Sequence, residues 1–252
     1  MRILITFALE NEFAPWRQIR AFHRTAEGGT AAYESEVNEA RVRVAFTGIG
    51  SANAKSVMAN AVRWEPDVCI SSGFAGSLRP AYCIGDVFAA REVMELESGR
   101  TIAADHHLLT TAEKRGARVA ERLLSSSEMV VTAEGKSRLG RMAEAVEMES
   151  FAVLTEAAAR KIPGVVIRAI SDAANEELPM DFSTVLNHSG KIDNAKLALA
   201  VARAPHKLPA LLRLGRNSRR AATKLAELLE IYVQDIATGA IRRAEVAEAT
   251  RA

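Results

Sequence analysis

Cysteine, clustered histidine and long apolar runs are the scarce features of this sequence. Only two cysteines occur, Cys69 and Cys83, and neither belongs to a Cys-x-x-Cys pair or a Cys/His cluster. Zinc-finger and disulfide-scaffold designs are thereby excluded, and two buried, reduced thiols are expected. The five histidines include one adjacent pair, His106-His107. Adjacent side chains diverge on a helix and no acid or cysteine stands at ligand spacing, so no metal and no cofactor is expected. No apolar stretch of membrane-spanning length occurs, and no arginine-rich leader or signal core precedes the strand-like run from Ile3 to Ala8. A cytoplasmic protein is the expectation. Acidic residues are missing from one segment altogether: between Arg203 and Lys224 lie Arg203, Lys207, Arg213, Arg216, Arg219, Arg220 and Lys224 with no Asp or Glu among them. That segment also lacks interleaved aromatics on which bases could stack, so no nucleic-acid partner is expected.

What is present suits one large core: 252 residues, 48% hydrophobic and 25% charged, with a net charge of +2. Arg2 to Ala8, Arg41 to Thr47, Asp67 to Ser72, Asp86 to Ala90, Met129 to Thr132 and Gly164 to Ile170 read as strands. Ser51 to Trp64, Asp105 to Leu124 and Glu149 to Lys161 read as helices. Strands separated by helices of that length predict an α/β domain with a largely parallel sheet covered on both faces, and place functional residues at the carboxyl ends of the strands. Tyr33 to Val37 and the strand from Arg41 fit a hairpin at one margin of that sheet. After Pro205 a leucine-spaced helical pattern on a basic background begins, so a main domain at 1–203 and a basic helical C-terminal extension at 204–252 are expected.

Polar residues at four strand ends stand where a core strand would not want them. Glu10 and Glu12 follow the first strand, where acids also favour a helix N-terminus. Gly73 and Gly76 flank Phe74 and Ala75 in Ser71-Ser72-Gly73-Phe74-Ala75-Gly76, a turn whose glycines would let backbone approach a ligand. Glu147 and Glu149 flank Met148; in extended chain both carboxylates share a side, in a helix they diverge as solvated acids would. Ser171-Asp172 closes the apolar strand from Val165 to Ile170, either as a site or as the N-cap of a following helix.

In this order the segments resemble the nucleoside phosphorylase superfamily, and within it the methylthioadenosine/S-adenosylhomocysteine nucleosidases, over roughly Met1 to Met180. The resemblance is carried by Glu12 after the first strand, Thr47-Gly48-Ile49-Gly50-Ser51-Ala52-Asn53-Ala54, Ser72-Gly73-Phe74-Ala75-Gly76-Ser77-Leu78 with Ile84-Gly85-Asp86-Val87, Ala145-Val146-Glu147-Met148-Glu149 and Arg168-Ala169-Ile170-Ser171-Asp172. It implies a three-layer fold with a central mixed sheet flanked by helices, a homo-oligomer, and cleavage of the bond between a purine and C1′ of ribose. A purine anion is a poor leaving group, so such an enzyme protonates the base while stabilising an oxocarbenium-like sugar. By resemblance, Asp172 binds the base at N7 and delivers the proton, Glu149 holds the ribose hydroxyls, Met148 packs on the sugar, and Glu12 is the general base toward water. Phe74, Ala75, Gly76, Glu147 and Ser171 complete the implied substrate contacts.

The superfamily contains hydrolases and phosphorylases. A phosphorylase needs arginine and hydroxyl donors for a dianion. Ser71 and Phe74 stand where the compared phosphorylases carry an arginine and a serine at the glycine turn, and an acid at Glu12 would repel phosphate. Both departures favour water, with phosphorolysis as the alternative. Phe74 also departs from the nucleosidases, which place a small hydroxyl residue there, and no aromatic stands near Lys136 to cover adenine. Leu178-Pro179-Met180-Asp181-Phe182, Gly190-Lys191-Ile192-Asp193 and Leu208 to Arg216 with Ser218-Arg219-Arg220-Ala221 look like the hopanoid-associated nucleoside phosphorylases. This implies a 5′-modified adenosine, adenosylhopane, as substrate. The leucines and cations of Arg203 to Lys224 form the pattern of an interfacial helix, so association with an anionic inner-membrane surface is one expectation and a helix packed on its own domain the other. Two other classes stay in view. Gly48-Ile49-Gly50 could open a dinucleotide fingerprint, but Asn53 stands at its third glycine. A non-catalytic nucleoside-binding module would follow if Glu12 or Asp172 were misplaced.

Overall fold

In the first strand, β1 (Arg2–Phe7), successive side chains fall on opposite faces, and both faces are apolar. Ile3, Ile5 and Phe7 enter one core cluster and Leu4 another. Such a strand has to lie inside a sheet covered twice. The computed structural model describes residues 1–25, 32–187 and 190–249 and shows that arrangement. After β1 come α1 (Glu10–Ile19), β2 (His23–Thr25), β3 (Ala32–Val37), β4 (Ala40–Phe46), α2 (Ser51–Ala61), β5 (Val68–Ser77), β6 (Val87–Glu95) and β7 (Thr101–Ala103). The second half holds α3 (His106–Lys114), β8 (Arg118–Ser125), α4 (Ala133–Leu139), β9 (Ala145–Glu147), α5 (Ser150–Ala158), β10 (Gly164–Asp172), α6 (Asn194–Arg203) and α7 (Leu208–Ala249).

The sheet is mixed rather than largely parallel. β5, β10, β6, β8 and β9 pair in turn and return to β5, closing a ring. From β5 an open wing of β1, β4, β3 and β2 extends. The expected hairpin is β3 and β4, joined through Asn38 at φ 51°, and β2 lies outside it as the margin. Residues of α1, α3 and α7 cover the face bearing Ile3, Ile5 and Ile167, while residues of α2 and α5 cover the face bearing Leu4 and Cys69. Three layers result.

Two element assignments are corrected. Asp105 to Leu124 is helical only to Lys114; Gly116, at φ 95°, breaks it, and Arg118 to Ser125 is β8. Ala117, Ala120, Leu123 and Leu124 fit a helical period, but all four are buried in the cores beside the sheet. Met129 to Thr132 is not a strand, because Thr132 accepts from the Gly135 N–H and caps α4. Of the cysteines, Cys69 is buried but Cys83 is exposed.

The C-terminal helix has two halves. From Ala221 onward Leu225, Leu229, Tyr232 and Val233 are buried in the same core as the sheet. Glu230 accepts from the Trp16 indole at 2.8 Å and the Tyr232 hydroxyl donates to Leu108 O at 3.0 Å. From Leu208 to Arg220 no residue is buried. The expected extension at 204–252 is thus joined to the main core by its second half; residues 250–252 lie outside the described ones. No helix among the described residues is long and apolar enough to cross a membrane.

Candidate active site

Parallel pairing of β1, β5 and β10 aligns their carboxyl ends, and the polar residues collect there. Glu12 is in the first turn of α1. Its Oε2 accepts from the Leu9 N–H at 2.9 Å, which is the helix-capping role its position allowed, but Oε1 accepts from the Phe74 N–H at 2.9 Å. The second bond reaches across to β5. Gly73 makes room for it: at φ 136°, a Cβ there would stand 2.6 Å from Arg168 Nη1 and 2.8 Å from Glu12 Oε1. Only glycine fits. Burial raises the Glu12 carboxyl above the usual carboxylate range, against the Arg168 guanidinium and the backbone donors that lower it.

Arg168 organises the centre. On β10, in a run that is otherwise apolar, it is 1% exposed. Nη2 donates to Glu147 Oε2 at 2.5 Å, Ser150 Oγ at 2.9 Å and Ser71 Oγ at 3.2 Å, and lies 3.6 Å from Glu149. Glu147 also accepts from the Glu149 and Ser150 N–H groups at the start of α5, so both of its oxygens are engaged within the protein. Its observed work is to lock Arg168 and open the helix. Glu149 is neither extended nor helical but turns the chain between β9 and α5, at φ −127° and ψ −32°. Its Oε1 accepts from the Gly50 N–H at 2.9 Å. Burial first, then repulsion from Glu147, push the Glu149 carboxyl up to about 8, against the pull of Arg168.

Asp172 ends β10 and is followed by coil, so it caps no helix. Pairing with β5 shifts register between Ile170 and Asp172, opposite Ala75 and Gly76, which makes Ser171 the extra residue of a bulge. Bulges re-aim side chains. Here the bulge brings Asp172 against Gly76, where a Cβ would stand 2.8 Å from Oδ2. Ser171 Oγ donates to Asp172 Oδ1 at 2.7 Å and the Lys136 ammonium to Oδ2 at 2.5 Å.

All nine sequence-predicted residues line one cavity of about 780 Å³: Glu12, Phe74, Ala75, Gly76, Glu147, Met148, Glu149, Ser171 and Asp172. Lys136 and Arg168 were missed. An uncompensated arginine inside an apolar strand was the available signal for one; Lys136 reads in sequence as an ordinary helix-surface lysine. The cavity continues beneath α6 and the first turns of α7, where Leu178, Phe182, Leu197, Leu208, Leu211 and Leu214 line it. Among the described residues no group of three or more His, Cys, Asp or Glu is arranged to hold a metal ion.

The floor of this cavity thus gathers the carboxyl groups of Glu12, Glu149 and Asp172 under a largely apolar roof. A family model described as the Phosphorylase superfamily matches residues 2–203. The 5′-methylthioadenosine/S-adenosylhomocysteine nucleosidase of Anoxybacillus flavithermus is 29% identical over 212 residues, which are 74% of this chain and 91% of that protein. The protein of the same description from Actinobacillus succinogenes is 30% identical over 190 residues, 65% of this chain and 82% of its own. The solved futalosine hydrolase of Helicobacter pylori has the same fold, with a TM-score of 0.72 at 19% identity, covering 93% of this chain and 98% of that one.

Proposed function

The chain belongs to the phosphorylase superfamily, and within it we propose that it is a nucleosidase that releases adenine from a 5′-modified adenosine by hydrolysis. The observation that carries the choice of water is Glu12. Its buried carboxylate is fixed by two backbone N–H groups at the cavity wall, and the neighbouring Arg168 is already engaged by Glu147, which supports a general base there. A doubly charged phosphate would meet a carboxylate there, beside a guanidinium already paired with Glu147. In this reading Glu12 takes a proton from water as its oxygen bonds to C1′, Glu149 and Met148 hold the ribose, and Asp172 protonates N7 as the C1′–N9 electron pair passes into the base.

The apolar roof supports a bulky hydrocarbon at the 5′ position, for which adenosylhopane, in hopanoid biosynthesis, is the proposed substrate. A substrate of that kind resides in a bilayer, so the reading includes peripheral association at an anionic membrane surface through Arg203 to Lys224. A homo-oligomer is part of the same proposal.

The deciding experiment is product analysis with and without phosphate, on adenosylhopane and on 5′-methylthioadenosine. Free ribose products in phosphate-free buffer, lost by on the order of 10²-fold in Glu12→Gln, are expected for a general base. Strict phosphate dependence with a sugar 1-phosphate product would reverse the assignment to phosphorolysis, and tight binding without turnover would reduce it to a binding module.

A further inference from the structure

Asp172 has to give a proton to the departing base, yet both of its oxygens accept hydrogen bonds, from the Ser171 hydroxyl and from the Lys136 ammonium. The protons nearest Asp172 Oδ2 are those of the Lys136 ammonium.

That lysine is not a surface residue. It is 1% exposed, and its two remaining donors reach the carbonyl oxygens of Ala173 and Glu176, each at 2.9 Å. Three donors thus meet three acceptors. Thr132 caps the short helix that presents it, and the cavity wall includes the side chain itself. Burying an ammonium is costly even when it is paired. Tying the loop after β10 to α4 would need only a neutral donor, so the charge calls for another purpose.

Resting on the nucleosidase reading above, we propose that Lys136 supplies the proton that Asp172 delivers. As the C1′–N9 bond breaks and its electron pair enters the purine, one proton of Lys136 Nζ passes to Asp172 Oδ2 and the carboxyl so formed passes it on to N7. Adenine leaves neutral, Asp172 is again a carboxylate, and Lys136 is an amine that keeps its two carbonyl bonds. Water, bonding to C1′, gives its proton to Glu12, and proton exchange with solvent then resets Glu12 and Lys136. Lys136 acts through Asp172 and is in that sense a positioning residue. The requirement is for a cation that can lose a proton, which arginine in a protein cannot do.

The test compares 5′-methylthioadenosine with its N7-methyl derivative, whose base is already cationic and departs without a proton. In Lys136→Met, kcat on 5′-methylthioadenosine is expected to fall on the order of 10²-fold with KM within a few-fold, while the N7-methyl substrate keeps most of its rate. Lys136→Gln, which retains a donor for the loop carbonyls, should show the same split, and Lys136→Arg should not restore the lost rate. Equal loss on both substrates in Met and Gln variants, no loss on the first, or recovery with arginine would each overturn the proposal. If the unaltered protein cleaves neither substrate, the nucleosidase reading fails first and takes this inference with it.

Discussion

At the floor of the cavity Glu12, Glu147, Glu149 and Asp172 are buried, as is Arg168, which pairs with Glu147, and Glu12, Glu147 and Asp172 have donors on both carboxylate oxygens. At the roof no residue from Leu208 to Arg220 is buried, and Leu208 and Leu212 are 43% and 58% exposed. The floor is assembled from strand ends and its charges are fixed by one another before any substrate enters, as electrostatic preorganisation requires. The roof is half a helix projecting beyond the core that anchors its other half. Its apolar surface stays partly open to water until something apolar covers it. On the proposed reading chemistry belongs to the floor and selection of the 5′ group to the roof, and that division can be broken from either side.

The largest effect is expected at the floor. Asp172→Asn keeps an acceptor for Lys136 but has no proton to give, so adenine release should drop by roughly 10²- to 10⁴-fold, the range of general acid catalysis. Substrate binding and the circular dichroism spectrum should stay near those of the unaltered protein. Turnover within a few-fold of the parent would remove Asp172 from the reaction and leave the floor a structural ion-pair network.

A smaller, graded effect is expected at the roof. Leu211 and Leu214 line the cavity from α7 without entering the buried core. With a series of 5′-alkylthioadenosines, KM should fall as the chain lengthens, because each buried methylene contributes about 0.8 kcal/mol. Replacing both leucines by glutamine should flatten that series and cost about tenfold with the longest chains, equivalent to about 1.4 kcal/mol. A parallel shift for short and long chains alike would show that the roof shapes the floor instead of contacting the 5′ group.

The two regions also differed in how far the sequence could be read. Strand ends are legible because β1, β5 and β10 are apolar runs that stop abruptly at polar residues. Glu12 and Asp172 could be named from those stops, and Glu149 from the polar residues after β9, together with family resemblance, which also supplied their roles. Lys136 could not, since its burial depends on a loop more than thirty residues downstream folding back over a helix of seven residues. β8 was read as helix because apolar pairs fit either period, and Gly116, which decides the matter, is informative only once its φ of 95° is seen. In α7 the leucines fall in two groups, Leu208 to Leu214 and Leu225 to Leu229, with the same helical spacing in each. Nothing local marks Ala221 as the point where solvent gives way to core, because that boundary is set by where the sheet beneath ends.

The subtlest expected effect concerns the outer side of the roof. Arg203, Lys207, Arg216 and Arg220 are exposed and form no ion pair with any described residue, whereas Arg213 is 3.4 Å from Glu176 and Arg219 lines the cavity. On the proposed membrane reading these four, Arg220 with its stem over Gly85, are the cations that would meet anionic headgroups. Each cation near an anionic leaflet contributes about 1 kcal/mol, so four give measurable but salt-sensitive binding and no more. Cosedimentation with phosphatidylglycerol-containing vesicles should capture the protein at low salt and release it at high salt. A variant with these four residues changed to Gln should remain in the supernatant throughout, while hydrolysing soluble 5′-methylthioadenosine at the parent rate. Equal sedimentation of both proteins, or of neither, would mean that the roof's cations are ordinary solvated residues and that the apolar substrate reaches the cavity without help from the membrane surface.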